Sequence, residues 1–347
     1  MLSGWATLQG TRRLMARHLP KVLPSFYRPL QDVFVSSVGF GTAKRDVTDT
    51  TASATLGAAL NAGVNLIDTS INYRSQLAER AAGVAIREFV RSGGRRDEIV
   101  VCTKAGYIVP GAIPATGFED VAGGTHCITP TFLADQLSRS RENLGLETID
   151  VYFLHNPEMQ LAFVDRTEFM KRIRAAFGKL EQDASDNLLR SYGIATWKGC
   201  RTHMERGGLS LAAFIDAARE VAGAQHHFRF VELPFNLSMA EARTVTSEEG
   251  ETALAGAERL DLSVIASGTL FEARLSRHLP SLLTELMPAV LTDAQRAIQF
   301  TRSTPGIASA LVGMSSLTHV EENLALAGVP PLTRAQYERL FELFILK

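Results

Sequence analysis

The chain has 347 residues, of which 46% are hydrophobic and 21% charged, with a formal net charge of −1 at pH 7. This composition allows a large buried core, and the balanced charge excludes the strongly basic surface that binds nucleic acid or anionic membranes. Cys102, Cys127 and Cys200 stand far apart, without the spacing of a zinc site or redox motif, so we expect a reducing compartment, a cytoplasmic location and no metal.

Residues 1–30 form a basic segment, and no acidic residue occurs before Asp32. We expect an N-terminal extension that is partly helical and packs on one domain running from residue 31 to residue 347. An organelle transit peptide within residues 1–24 is the alternative, because such peptides are rich in arginine and poor in acids. No apolar run reaches the ~18–20 residues of a membrane-spanning helix, so no membrane partner is expected.

Short apolar runs alternate with amphipathic segments along the rest of the chain. Eight runs are predicted as strands, at 37–42, 64–68, 99–103, 149–154, 191–195, 228–233, 262–267 and 308–313. Apolar residues at helical spacing predict helices at 49–63, 75–94, 129–146, 168–189, 208–223, 292–304, 316–328 and 333–347. Continuous apolar strands are typical of a parallel sheet that is buried on both faces.

This alternation predicts an α/β fold, a (β/α)₈ TIM barrel. A doubly wound sheet is the alternative, but the turn after the first strand, "GFGTAKR", is too short for the expected GxGxxG. Long loops follow the third strand (106–128) and the sixth (238–260). Both leave the C-terminal ends of strands, where barrel active sites are built, so we expect them to select the substrate.

Polar residues follow three successive predicted strands. Asp68 ends the second strand, Lys104 follows the third, His155 follows the fourth, and Tyr73 lies in the loop after Asp68. Each has a simpler explanation when taken singly, as a cap, a packed aromatic, a solvated lysine or a turn histidine. Strands of a barrel end on one rim, so together these side chains are expected to surround one small volume.

The chemistry of this set is that of a tuned proton donor. A phenol has an ordinary pKa near 10, and a nearby ammonium lowers that pKa by stabilising the phenolate. Lys104 would supply the ammonium, Asp68 would keep it charged, and His155 would orient a substrate carbonyl. Tyr73 would then protonate an oxygen while hydride arrives at the carbon.

The segments "IDTSINY", "VVCTKAG" and "VYFLHNP" are similar to the three catalytic segments of the aldo-keto reductases. The resemblance extends from about residue 36 to about residue 328. It implies a (β/α)₈ barrel that binds a nicotinamide dinucleotide, commonly NADP(H), and interconverts a small aldehyde, ketone or lactol with an alcohol. It assigns Asp68, Tyr73, Lys104 and His155 to the catalytic tetrad of the family, with Tyr73 as the proton donor.

The resemblance also implies a cofactor site, in which this chain departs from the family pattern. Positions 40 and 41, which are Phe40 and Gly41, close the first predicted strand. Thr196 stands where the family usually has a Ser–Asn pair, Glu232 where it has glutamine, and Ser267 near the place of a stacking aromatic. The remaining candidates lie in the adenosine-phosphate segment and are Gly313, Met314, Ser315, Glu322 and Asn323.

The residues expected to bind a 2′-phosphate are altered. Gly313 stands at the position of a family lysine and His319 at that of an arginine, so a charge-assisted contact is lost. NADP(H) is therefore implied by the resemblance, while NAD(H) stays open. A capping box that begins at Ser316 would explain "SSLTHVEEN" without any ligand.

The sequence is also compatible with two other functions. The first is a nucleotide-binding barrel that acts as a sensor or regulatory subunit with little turnover, as the similar potassium-channel β-subunits do. The second is isomerisation or dehydration with Tyr73 and Lys104 alone. The oligomeric state is not predicted.

Overall fold

The computed structural model describes residues 1–43, 46–110, 121–246 and 250–345. Its strands are β1 (Tyr27–Leu30), β2 (Val33–Ser36), β3 (Val38–Gly41), β4 (Leu66–Asp68), β5 (Val100–Ala105), β6 (Ile149–His155), β7 (Leu189–Ala195), β8 (Phe228–Pro234), β9 (Ser263–Ser267) and β10 (Ile307–Val312). Its helices are α1 (Leu8–His18), α2 (Asp49–Asn61), α3 (Leu77–Arg91), α4 (Pro130–Leu144), α5 (Arg166–Ser185), α6 (Leu211–Ala222), α7 (Glu241–Thr244), α8 (Ala253–Arg259), α9 (Leu282–Leu286), α10 (Asp293–Ser303), α11 (Leu317–Leu324) and α12 (Arg334–Phe344).

Eight of these strands close into a parallel barrel in the order β10-β3-β4-β5-β6-β7-β8-β9. Each predicted strand corresponds to one barrel strand, and helices connect them, so the prediction of a (β/α)₈ barrel is confirmed. A doubly wound sheet would be open, and the hydrogen bonding of β10 to both β3 and β9 rules it out.

Local sequence signals determine where the helices begin and end. The hydroxyl of Thr129 accepts a hydrogen bond from the backbone of Phe132, and Pro130 occupies the first turn of α4. Gly145 follows that helix with φ +71°, a conformation that costs glycine little. These caps account for the agreement between the predicted helix at 129–146 and α4.

Two apolar layers hold the barrel. Inside it pack side chains such as Val100, Phe153, Phe230 and Ile265, which form one buried cluster. The outward-facing strand residues and the surrounding helices form a second, larger cluster. The connected C-terminal ends of the strands therefore stand on a rigid support, which is what a precise site requires.

The N-terminal segment covers the end of the barrel at which the strands begin, opposite the C-terminal rim. The predicted helical part is α1, and the β1–β2 hairpin, which the sequence analysis did not predict, contributes Leu30, Val33 and Val35 to the inner cluster. The amide of Ala6 donates to the buried Asp150 Oδ1 over 2.6 Å. The predicted domain boundary, between residues 30 and 31, falls in the turn of this hairpin. The division into an extension and a domain stays a prediction.

The two predicted long loops follow β5 and β8. Within the first, Tyr107 bridges to His126, and residues 111–120 lie outside the described part. The second contains α7 and α8, and residues 247–249 lie outside the described part. None of the described helices combines the length and the apolar character needed to cross a membrane.

Candidate active site

The predicted catalytic residues meet at the C-terminal rim of the barrel. Asp68 is the last residue of β4, Lys104 lies one residue before the end of β5, and His155 is the last residue of β6. Parallel register places Asp68 opposite Cys102 and Lys104 opposite Phe153, so these strand ends lie side by side. Tyr73 reaches the same rim from the loop after β4, where it is partly buried.

Lys104 is the centre of the site. Its Nζ lies 2.5 Å and 2.6 Å from the two carboxylate oxygens of Asp68, and 3.0 Å from the backbone oxygen of Thr69. Glu232 Oε2 lies 3.2 Å from the same nitrogen. Burial alone would lower the pKa of Lys104, but the charges of Asp68 and Glu232 raise it well above its ordinary value. The prediction that Asp68 keeps Lys104 charged agrees with this arrangement.

Glu232, which the sequence predicted as a nicotinamide contact, is also part of the charged group around Lys104. The side chains of Lys104, Asp68 and Glu232 are 0%, 5% and 6% exposed, so two carboxyl groups share one ammonium away from water. Burial, followed by the charge of Asp68, raises the pKa of Glu232 to about 8. Burial also raises the pKa of Asp68, against the attraction of Lys104. We therefore expect one of the two carboxyls to be protonated at neutral pH.

Tyr73 packs directly over this charged group. Its ring centroid lies 5.3 Å from Lys104 Nζ, so the ammonium faces the aromatic ring. Burial raises the pKa of Tyr73 above 10, and the charges of Asp68 and Glu232 add to the rise, although Lys104 opposes it. Lys104 thus acts on the pKa of Tyr73 in the predicted direction, but its effect is smaller than the cost of burying a phenolate.

His155 stands beside the phenol as a neutral ring. Its centroid lies 5.8 Å from that of Tyr73 in an edge-to-face arrangement, and its Nδ1 lies 3.2 Å from Ser70 Oγ. Burial, together with the charge of Lys104, lowers the pKa of His155 well below its usual range. A neutral imidazole can bind a carbonyl oxygen without adding a second positive charge next to Lys104.

The loop after β5 packs on the back of this histidine. His126 Nε2 lies 2.7 Å from the backbone oxygen of His155, and Gln160 Nε2 lies 2.9 Å from His126 Nδ1. The ring of Tyr107 lies 5.0 Å from that of His155, and its hydroxyl accepts a hydrogen bond from Asn156 over 2.8 Å. The segment expected to select the substrate therefore contacts the candidate tetrad directly.

Thr196, a predicted nicotinamide contact, is occupied by the protein itself. Its hydroxyl donates to Glu158 Oε1 over 2.7 Å and accepts from the backbone of Gly199 over 2.8 Å. The same carboxylate oxygen accepts from the amides of Trp197 and Lys198, over 3.0 Å and 2.9 Å. Glu158 thus fixes the loop after β7, a role that the sequence analysis did not assign to it.

The other cofactor candidates lie on both sides of the β3–β10 seam. Phe40 pairs with Val312, and a Cβ built on Gly313 would lie 3.6 Å from the backbone oxygen of Gly41. This close approach brings the predicted positions 40, 41 and 313 together. Ser267 ends β9 on the same rim.

The predicted adenosine-phosphate segment forms the start of α11. Ser316 caps this helix by accepting the amide of His319 over 3.2 Å, and Ser315 Oγ lies 3.2 Å from His319 Nδ1. Met314 and Asn323 are buried, so their side chains support the segment from within. The backbone oxygen of Glu322 accepts a hydrogen bond from a neighbouring glutamine side chain over 2.6 Å. Residues 313–323 contain neither lysine nor arginine.

The rim fits a bound polar molecule such as a nicotinamide dinucleotide. Four of its buried polar atoms have no hydrogen-bond partner within the described residues: Thr42 Oγ1, Thr69 Oγ1, Glu158 Oε2 and Thr269 Oγ1. Such atoms are rare in folded proteins and are usually satisfied by a ligand or water. Among the residues that the structure describes, no group of three His, Cys, Asp or Glu side chains is arranged to hold a metal ion.

The protein is therefore a closed (β/α)₈ barrel that carries a candidate acid–base site, formed by Asp, Tyr, Lys and His, on its C-terminal rim. A model of the Aldo/keto reductase family matches residues 37–206, which contain all four residues. The predicted resemblance to the aldo/keto reductase family is therefore confirmed for these residues.

Individual relatives agree with this assignment. A D-threo-aldose 1-dehydrogenase from Pseudomonas sp is 28% identical over 177 residues, which cover 47% of this chain and 50% of that protein. The chain spans about half the length of the curated relatives it matches first.

Solved structures match over a larger share of the chain. The glycerol dehydrogenase from Gluconobacter oxydans superposes with a TM-score of 0.69 at 19% identity, covering 94% of this chain and 98% of that chain. An aldo/keto reductase from Klebsiella pneumoniae, solved with NADP and acetate, gives a TM-score of 0.65 at 19% identity, with coverage of 90% and 93%. Similarity at this identity establishes the shared fold.

Proposed function

We propose that the protein is a nicotinamide-dependent oxidoreductase that interconverts a small aldehyde, ketone or lactol with the corresponding alcohol. The observation that carries this proposal is the phenol of Tyr73 packed 5.3 Å from the buried ammonium of Lys104 at the barrel rim. The match of residues 37–206 to the aldo/keto reductase family, and the names of the relatives, an aldose dehydrogenase and a glycerol dehydrogenase, support the same reaction class.

The bound nicotinamide would supply or accept the hydride, and the side chains of this chain would handle the proton. In the reductive direction, Tyr73 donates its hydroxyl proton to the substrate oxygen, and the Lys104 ammonium stabilises the phenolate that remains. The neutral ring of His155 binds the same oxygen and so orients the carbonyl. Asp68 holds the ammonium in place through two short contacts.

The cofactor would lie across the rim from β7 to α11. Glu232 and Ser267 would contact its nicotinamide half, and the segment from Gly313 to Asn323 would hold its adenosine half, near positions 40 and 41. The similar structure from Klebsiella pneumoniae contains NADP, which supports a nicotinamide cofactor in general. The lack of lysine and arginine in residues 313–323 leaves NAD(H) as an equal candidate.

A direct test replaces the proton donor and keeps its shape. Tyr73→Phe should lower kcat by about 10²–10⁴-fold, because a positioned general acid contributes that much, while the Kd of the cofactor changes by less than about threefold. Both quantities are measurable once calorimetry has identified the preferred cofactor among NADPH, NADP⁺, NADH and NAD⁺.

Tyr27→Phe is the matched control. That tyrosine also loses a buried phenol hydrogen bond, 3.0 Å to the Gly63 oxygen, but it packs between the N-terminal segment and α2, away from the rim. We expect it to lower stability and to leave kcat unchanged. Retained turnover in Tyr73→Phe would refute the proposed mechanism. Tight cofactor binding without turnover in the wild-type protein would favour the sensor or regulatory function.

A further inference from the structure

Glu232 adds a second carboxyl group to a site that already contains a complete ion pair. Asp68 binds Lys104 through both of its oxygens, and Glu232 approaches the same nitrogen over 3.2 Å from the opposite part of the barrel. The carboxyl groups of Asp68 and Glu232 therefore lie close together around one nitrogen, and the charge of Asp68 raises the pKa of Glu232. Two carboxylates in such contact repel each other, so the pair must share a proton.

The surroundings offer no other charge to balance this pair. The titratable groups that face Glu232 are Asp68 on β4, Lys104 and Cys102 on β5, and Tyr73 in the loop after β4. The two strands that flank β8 present Ala195 and Ile265 in register with Glu232, and neither can carry charge. Within the described residues, the ammonium of Lys104 is therefore the one positive charge available to two acids.

The state of the shared proton determines the net charge below Tyr73. With the proton bound, the three side chains sum to zero, as one carboxylate, one ammonium and one carboxylic acid. Without it, they sum to −1 in a buried space. Both acids act on Tyr73 in the same direction, because a negative charge nearby disfavours a second anion, the phenolate.

We propose that Glu232 is a positioning residue that stores this proton with Asp68 and thereby controls, through Lys104, how readily Tyr73 releases its own proton. The proposal rests on the proposed function for its catalytic consequence, but the stored proton itself can be detected without turnover. Because the pKa of Glu232 lies at about 8, the change of charge falls within the working range of an enzyme.

The consequence for catalysis is a specific pH dependence. As the pH rises past the ionisation of Glu232, the phenolate of Tyr73 becomes less favourable, so proton donation in carbonyl reduction slows. Glu232→Gln keeps the shape and the neutral charge at every pH. That variant should lose the first alkaline decline of kcat and decline only where Tyr73 itself ionises.

Two measurements on the full-length protein test the stored proton directly. Ultraviolet difference titration of tyrosinate, with Tyr73→Phe subtracted, should show Tyr73 ionising at least about one pH unit lower in Glu232→Gln, a tenfold change in acidity. Infrared difference spectra should show the carbonyl band of a protonated carboxylic acid that disappears with Glu232→Gln. An unchanged Tyr73 midpoint, or an unchanged carboxylic acid band, would overturn the proposal.

Glu79→Gln is the matched control. Glu79 is also a buried acid, but it lies on α3 and bonds Thr103 Oγ1 over 2.6 Å and Asn143 over 2.8 Å, outside the barrel wall. It should leave the Tyr73 midpoint unchanged, and an equal shift there would overturn the proposal. Should Glu232→Gln fail to fold, Asp68→Asn serves as the second variant, since it also removes one partner and should remove the same infrared band.

The failure of this proposal is distinguishable from the failure of the proposed function. A shifted Tyr73 midpoint in a protein that reduces no carbonyl would support the stored proton and refute the oxidoreductase. Turnover that depends on Tyr73 but has the same pH profile in Glu232→Gln would refute the role of Glu232 alone.

Discussion

Replacing Lys104 by methionine should destabilise the protein by an amount that grows with pH. Methionine matches the unbranched shape of lysine but removes the positive charge that two buried carboxyls share. Removing one partner of a buried ion pair typically costs about 3–5 kcal/mol, because the remaining charge is left uncompensated. Here the remaining groups can escape that cost by taking up protons.

The size of the effect follows from the number of acids that must be neutral in each protein. In the wild type one of the two carboxyls is protonated at neutral pH, and in Lys104→Met both are. Protonating an acid at about pH 7 whose unfolded pKa is about 4 costs roughly 4 kcal/mol, at 1.36 kcal/mol per pH unit. This cost applies to one more group in the variant than in the wild type, so we expect the free energy of unfolding to fall by about 4 kcal/mol near pH 7.

The sign of the pH dependence is fixed by linkage. An acid with a raised folded-state pKa makes its full contribution to stability below its unfolded pKa, and that contribution is lost as the pH rises toward the folded pKa. The wild type loses stability in this way through Glu232, whose folded pKa is about 8. The variant has a second such group, Asp68, so the difference between the two proteins should widen by about 1.4 kcal/mol per pH unit between roughly pH 4 and pH 7.

Urea unfolding at several pH values measures this difference, provided that the m-value stays constant. Lys171→Met is the control, because Lys171 is 79% exposed and its pair with Glu168 is screened by water, so the variant should show no pH-dependent loss. A loss in Lys104→Met that is equal across the pH range would show that the damage is a packing defect. The charge assignment of the site would then be wrong.

The remaining predictions concern the two ends of the barrel. Asp150→Asn should destabilise the protein by about 3–5 kcal/mol in urea without changing kcat per folded molecule, because Asp150 neutralises buried Arg96 over 2.6 Å and binds the amides of Ala6 and Val101 at the end opposite the site. A loss below about 1 kcal/mol would contradict that role. His319→Arg should tighten NADPH binding by at least about tenfold in calorimetry and leave NADH unchanged, since a charge-assisted phosphate contact contributes about 1.5–3 kcal/mol. Equal effects on both cofactors would place the 2′-phosphate elsewhere.

The sequence was sufficient for the barrel because its strands are buried on both faces. Largely apolar runs such as 99–103 and 149–154 are easy to recognise, and polar residues at their C-terminal ends identify the rim. The β1–β2 hairpin was missed because Pro29 argues against a strand. Among the described strands β1 pairs with β2 alone, so that proline lies in an edge strand, where a missing amide is tolerated.

The same burial hides the contact that matters most in the site. In a strand with apolar residues on both faces, the sequence does not show which side chains point into the barrel. Lys104 and Glu232 belong to strands that are not neighbours, and they meet only across the barrel interior. The sequence placed each on the rim, but the distance between them, and the excess of acid over base, required the structure.

The excess of acids over bases around Lys104 also affects whether the resting site favours reduction or oxidation. Burial and two nearby acids keep the phenol of Tyr73 protonated at neutral pH. The ring of His155 beside it is neutral and adds no positive charge that would favour the phenolate. A protonated phenol can donate at once to a carbonyl that is being reduced, whereas alcohol oxidation must first remove its proton. On the proposed function, the resting site is therefore prepared for reduction near neutral pH. Oxidation requires either a higher pH or a bound oxidised nicotinamide, whose positive charge would stabilise the phenolate.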